Sequence, residues 1–127
     1  MARILVVDDD ANNRLLLKTI LSSEQHTVFE AASATEGLIQ AAERKPELII
    51  ADLRMPDVDG VTFVRMLRAD PAFASIEIAL HTGTPPTDAL EDFLEMYRIR
   101  TVIPKPCEPE EVLLRVRAAL TPDSAAS

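Results

Sequence analysis

Leu48-Ile49-Ile50-Ala51-Asp52-Leu53-Arg54-Met55-Pro56-Asp57-Val58-Asp59-Gly60 is a short apolar run that ends in an acid and breaks into turn residues. A continuous run of this length, without alternation, predicts a strand buried on both faces. Three further runs share the form. Ile4-Leu5-Val6-Val7 ends in Asp8-Asp9-Asp10, Ile76-Glu77-Ile78-Ala79-Leu80-His81 ends in Thr82, and Thr101-Val102-Ile103-Pro104 ends in Lys105-Pro106. Each run delivers a reactive side chain at its carboxyl end. Amphipathic stretches of helical length lie between them, and that alternation predicts an α/β fold around a parallel sheet.

The pattern predicts strands over 3–7, 27–31, 48–51, 76–81 and 101–103. A helix is expected over 11–23, capped by Asp10, with Leu16, Ile20 and Leu21 facing inward. Ser33-Ala34-Thr35-Glu36 spells a capping box that opens a helix to about Arg44, where Pro46 stops it. Pro56 to Gly60 is turn chemistry before a helix over 61–69. Thr87 or Asp88 caps a helix to Tyr97, whose Leu90, Phe93, Leu94 and Tyr97 share a face. Pro109 suits the first turn of a last helix, with Leu113, Val116 and Leu120 inward. Five such units make an open, doubly wound sheet, in which ligands bind outside the carboxyl ends of the strands. Asp8, Asp9, Asp52, Thr82 and Lys105 all belong at those ends.

A chain of 127 residues, 47% hydrophobic and 27% charged, suits one globular domain. The expected division is a domain over 1–121 and a flexible tail or linker start over 122–127, where Thr121-Pro122-Asp123-Ser124-Ala125-Ala126-Ser127 has no periodicity. The net charge of −8 disfavours direct binding to nucleic acid or an anionic membrane. No apolar stretch approaches membrane-spanning length, and Met1-Ala2-Arg3-Ile4 is too short for a signal peptide. The single Cys107 cannot form an internal disulfide, which fits a cytoplasmic location.

Three carboxylates brought together repel one another, and a hard divalent cation relieves them. Mg²⁺ prefers oxygen ligands, which Asp8, Asp9, Asp52 and the backbone carbonyl of Arg54 can supply. A carboxylate is also a nucleophile toward phosphorus. The oxygens of a transferred phosphoryl group need neutralising. The Lys105 ammonium suits one of them, and the Thr82 hydroxyl can donate to another. Each residue also has a plainer reading: Asp10 and Asp59 as caps, Asp57 as a turn residue, Thr82 as an ordinary strand end, Lys105 as a surface lysine. His81 is assigned no role. Singly, the plain readings prevail. Together they do not, because the chemical types fall at successive carboxyl strand ends.

These segments resemble the response regulator receiver domain of two-component signalling. The acid pair after the first strand, the Asp52-x-x-Met55-Pro56-x-x-Asp59-Gly60 string, His81-Thr82-Gly83 and Pro104-Lys105-Pro106 carry the resemblance, which covers all but the tail. It implies a flavodoxin-like sheet of five parallel strands in the order 2-1-3-4-5, flanked by five helices. It implies that Asp52 is the phosphoacceptor, charged by a sensor histidine kinase or phosphotransfer protein. Asp8, Asp9 and Asp52 would form the Mg²⁺ site, and Thr82 and Lys105 would sense the phosphoryl group. The domain would be a signalling module that assists its own charging and discharge, not an enzyme in its own right. Its output would pass through the fourth helix, fifth strand and fifth helix to an effector protein or a missing C-terminal output domain. It would act as a monomer or a phosphorylation-dependent dimer.

The chain departs from that family's pattern in three places. Val102 stands where an aromatic is usual, so coupling must use the backbone or other side chains. Tyr97-Arg98-Ile99-Arg100 lacks the usual glycine after the fourth helix. Pro85-Pro86 stiffens the loop after Thr82 and predicts a smaller or slower switch. Arg54 and Thr84 flank the site and can tune phosphoryl lifetime. Asp8-Asp9-Asp10 also contains the Asp-x-Asp of haloacid-dehalogenase phosphatases. Asn12, the short chain and the missing cap domain argue against that class. A receiver-like module that is never phosphorylated is the other alternative, opposed by the full acid set with Thr82 and Lys105.

Overall fold

The structure, a computed structural model, describes residues 1–55, 58–83 and 87–121. Strands and helices alternate strictly: β1 (Arg3–Val7), α1 (Ala11–Ser22), β2 (Thr27–Ala31), α2 (Ala34–Arg44), β3 (Leu48–Ala51), α3 (Gly60–Ala69), β4 (Glu77–Thr82), α4 (Asp88–Met96), β5 (Thr101–Pro104) and α5 (Pro109–Leu120). The strands form one five-stranded parallel sheet in the order β2-β1-β3-β4-β5. The expectations for the Pro56-Asp57 turn, the Thr84-Pro85-Pro86 loop and the tail over 122–127 lie outside the described residues.

Continuous apolar runs suit these strands because both faces of the sheet are covered. Leu5, Val7, Ile49, Ala51, Ile78 and Leu80 turn to one face, where Phe63, Val64 and Leu67 of α3 and Ala34 and Ala41 of α2 pack. Ile4, Val6, Leu48, Ile50 and Ala79 turn to the other, against Leu17, Ile20 and Leu21 of α1 and Val112, Val116 and Ala119 of α5. Alternate residues of one strand therefore feed two cores.

Most helix starts are closed as the sequence spells them. Asp10 accepts from the Asn12 and Asn13 N–H groups, Ser33 from Glu36, Asp59 from Thr62, and Thr87 from Leu90. Two inward faces differ from expectation. Leu16 is 52% exposed, whereas Leu17 is 1% exposed. Three consecutive leucines give no phase, and the i, i+3, i+4 set that meets α5 and the sheet is Leu17, Ile20, Leu21. On α5, Leu113 and Leu120 are half-buried beside the core, and Val112 and Ala119 lie deeper. β4 begins at Glu77 rather than Ile76, because the Ile76 N–H closes a turn onto the Phe73 carbonyl.

Register levels the strand ends. Val7 stands opposite Ala51, and Ala51 opposite Leu80. Asp8 and Asp52, the next residues, therefore emerge side by side at the point between β1 and β3 where the chain reverses its winding.

Candidate functional site

The carboxylates of Asp8, Asp9 and Asp52 converge, each offering an oxygen within 4.8 Å of the others. Asp8 is 1% exposed and Asp52 8%, whereas Asp9 faces solvent. Lys105, following β5, reaches across β4 and places Nζ 3.2 Å from Asp52 Oδ2 and 3.5 Å from Asp8 Oδ2. The other oxygens are held by the backbone. Asp8 Oδ1 accepts from the Asp10 N–H at 2.9 Å, and Asp52 Oδ1 from the Arg54 N–H at 3.2 Å. An open cleft of about 630 Å³ lies over the acids, lined among others by Asp9, Asn13, Asp52, Arg54, Met55 and Lys105. A smaller hollow of about 270 Å³ continues from it between Asp52, Arg54, Thr82, Gly83 and Lys105.

Thr82 is held at the end of β4 by the ladder to β5, and its carbonyl accepts from the Lys105 N–H at 3.1 Å. Burial pushes the Asp8 carboxyl above the usual carboxylate range, against the pull of the Asp10 N–H and the Lys105 ammonium, and the charge of Asp52 adds to the rise. Among the described residues, three carboxylates meet there with a single ammonium, that of Lys105, at ion-pair distance. An all-oxygen donor set with uncompensated charge is what a hard divalent cation requires, so Asp8, Asp9 and Asp52 fit Mg²⁺.

A model of the response regulator receiver domain matches residues 4–117. The chain belongs to that family. The receiver is 36% identical over 126 residues to the KDP operon transcriptional regulatory protein KdpE of Escherichia coli, covering 98% of this chain and 54% of that protein. It is 34% identical over 119 residues to the DNA-binding response regulator MtrA of Mycobacterium tuberculosis, covering 93% of this chain and 50% of that one. The receiver thus spans about half the length of the curated relatives it matches. Among solved structures, the chemotaxis protein CheY4 of Vibrio cholerae superposes with a TM-score of 0.87 at 26% identity, covering 94% of this chain and 99% of that one. A CheY-like receiver domain protein of Methanospirillum hungatei gives a TM-score of 0.87 at 25% identity, covering 100% and 99%. Receivers of this family are signalling domains, and phosphorylation of an aspartate and Mg²⁺ binding are general features of the family.

The fold brings Asp8, Asp9, Asp52, Arg54, Thr82 and Lys105 together, while Thr84 lies outside the described residues. It also adds residues that sequence reasoning passed over. Asn13 lines the acid cleft from the first turn of α1. Arg14 donates to the Asp8 carbonyl. His81 is only 6% exposed, beside Lys105 in a hollow under α1 and α5, and its Nδ1 has no partner among the described residues. Burial and the Lys105 charge hold its imidazole down at about 4. Among the described residues, no helix is long and apolar enough to cross a membrane.

Proposed function

We propose that Asp52 of this receiver is the phosphoacceptor, charged from the phosphohistidine of a sensor kinase or phosphotransfer protein, with Mg²⁺ held by Asp8, Asp9, Asp52 and the Arg54 carbonyl. The convergence of Asp52 with Asp8, Asp9 and Lys105 at one sheet edge carries this reading. A carboxylate is ionised at neutral pH and needs no base. An Asp52 oxygen forms a bond to phosphorus as the phosphorus–nitrogen bond of the donor imidazole breaks and the imidazole keeps the electron pair. Bound in the cleft, Mg²⁺ would supply countercharge for the acids and for the phosphoryl oxygens. Lys105, already beside Asp52 Oδ2, neutralises a second phosphoryl oxygen, and the Thr82 hydroxyl donates to a third. Attack by water on phosphorus later breaks the bond to the Asp52 oxygen, releases inorganic phosphate and restores the free carboxylate, with Arg54 lining the cleft.

The added charge and acceptors bias the segment that follows Thr82, and α4, β5 and α5 form the surface that reports it. The receiver occupies residues 1–121, and 122–127 begin a tail or linker. Its recipient is an effector protein or an output domain beyond the tail. The names of the longer relatives favour a regulator of transcription, in which another domain contacts DNA. The acidic receiver itself would contact neither nucleic acid nor membrane, and would work in the cytoplasm as a monomer or a phosphorylation-dependent dimer.

Exposure to acetyl phosphate with Mg²⁺ tests this reading. The expected result is a mass gain of one phosphoryl group, labile to hydroxylamine, prevented when Mg²⁺ is chelated before the donor is added, and absent in Asp52→Asn. A gain that persists in Asp52→Asn, or no gain with excess donor and metal, overturns it.

A further inference from the structure

We infer that Arg14 is a positioning residue for the acid pair, fixing the Asp8 peptide so that its carboxylate meets the cation. The inference rests on the reading of Asp8 and Asp9 as metal ligands. Past the end of β1 the sheet runs out of partners one group at a time. The Val7 carbonyl accepts from the Asp52 N–H at 3.0 Å, and the Asp8 N–H donates to the Ala31 carbonyl at 3.0 Å. The next acceptor is the Asp8 carbonyl, and it receives Nη1 of Arg14 at 2.6 Å. Arg14 thereby extends the hydrogen-bonding of the sheet by one group, into the loop that bears the ligands.

The guanidinium cannot follow the loop if the loop moves. Its Nε donates to Glu30 Oε1 at 3.3 Å, and Glu30 projects from β2. Lys18, one helical turn beyond Arg14, meets the other Glu30 oxygen at 3.6 Å. A planar fork tied to a strand on one side and a peptide on the other sets orientation in a way that a flexible ammonium does not. Asp8 is then held at its N–H, its carbonyl and its Oδ1, which leaves Oδ2 facing Lys105 and the cleft. The anchor also disposes of charge. Paired with Glu30, Arg14 spends its cation away from the carboxylates and does not compete there for a divalent ion.

Calorimetric titration of the full chain with Mg²⁺, paired with thermal unfolding in chelator, tests this. Arg14→Ala is expected to weaken Mg²⁺ binding about tenfold, the usual scale for a residue that orients a metal ligand. Arg14→Lys should recover thermal stability more fully than affinity. Glu30→Ala, which frees the guanidinium to approach the acids, should weaken binding as well. Phosphoryl uptake from acetyl phosphate should lag in Arg14→Ala at limiting Mg²⁺ and match the parent at saturation. If Arg14→Lys and Glu30→Ala stay folded and bind Mg²⁺ like the parent, Arg14 is merely structural and the inference falls. If the parent itself binds no Mg²⁺, the assignment of the metal site falls first, and the inference with it.

Discussion

Lys105 Nζ stands 3.2 Å from Asp52 Oδ2, so the lysine that would neutralise a phosphoryl oxygen already offsets part of the Asp52 charge. The same ammonium lies 3.5 Å from Asp8 Oδ2 and opposes a divalent cation in the cleft. Removing it should have opposite effects on two measurements. Lys105→Ala is expected to tighten Mg²⁺ binding by about 1 kcal/mol, roughly fivefold, the size of one screened charge at this range. It should also slow phosphoryl uptake. Titration calorimetry beside acetyl phosphate kinetics checks both, and unchanged or weaker Mg²⁺ binding would contradict the argument.

Asp8, a proposed metal ligand, sits where burial works against its charged form. Its carboxyl is raised above its ordinary value of 3.8, chiefly by burial, so the folded chain binds a proton more readily than the unfolded chain. Stability from this group is therefore present at low pH and is lost as pH rises through the raised value. At neutral pH, without metal, Asp8→Asn should raise Tm by several degrees. The same variant should lose most of the further stabilisation that Mg²⁺ gives the parent. Scanning calorimetry with and without Mg²⁺ reads both effects; a lower Tm in metal-free Asp8→Asn would refute the reading.

His81 has the opposite sign. Its imidazole is held at about 4 against an ordinary value of 6.5, so the unfolded chain binds the extra proton first. Stability from the neutral ring is full above about 6.5 and declines as pH falls toward 4. Among the described residues its buried Nδ1 has no hydrogen-bond partner, and leucine carries no such polar atom into the same site. His81→Leu should therefore be the more stable protein at pH 7, and its advantage should widen at pH 5. Urea unfolding at the two pH values, read as the difference between variant and parent, isolates this group from Asp8. An advantage that shrinks on acidification would count against it.

The acids, Thr82 and Lys105 were legible because a buried parallel strand announces its own end. Where Leu48-Ile49-Ile50-Ala51 stops, the next residue must stand at the sheet edge. What stayed hidden depends on partners distant in sequence. Arg14 matters through Glu30 on β2, and His81 through its burial beside Lys105 on the α1–α5 side. The phase of α1 was hidden for a different reason: Leu15-Leu16-Leu17 is apolar at every step, and only packing against the sheet and α5 selects Leu17. The missing glycine after α4 is real. Arg98 takes a left-handed φ of 58°, the conformation a glycine adopts there without steric cost, while Nη2 donates to the Ala74 carbonyl at 3.2 Å.

Gly60 opens α3 against the backbone of Asp52, the proposed phosphoacceptor. A Cβ built there would lie 2.4 Å from the Asp52 carbonyl oxygen and 2.5 Å from Leu53 Cα, and both neighbours are backbone. The Gly60 N–H also donates to the Leu53 carbonyl at 2.9 Å, so the helix start cannot withdraw without breaking that bond. In Gly60→Ala the Asp52–Leu53 segment must move instead. The expected cost is about 1–3 kcal/mol of stability, as for other overpacked sites. Phosphoryl uptake should fall further than that loss explains, because displacing a nucleophile by ~1 Å can cost on the order of a hundredfold in rate. Gly37→Ala is the control. Its added Cβ would meet only side chains, Phe63 and Val7 at 3.1 Å, and would press on no backbone of the acid-bearing segments. It should lose stability without a matching loss of uptake. Equal ratios of uptake to stability in the two variants would show that Gly60 serves packing alone.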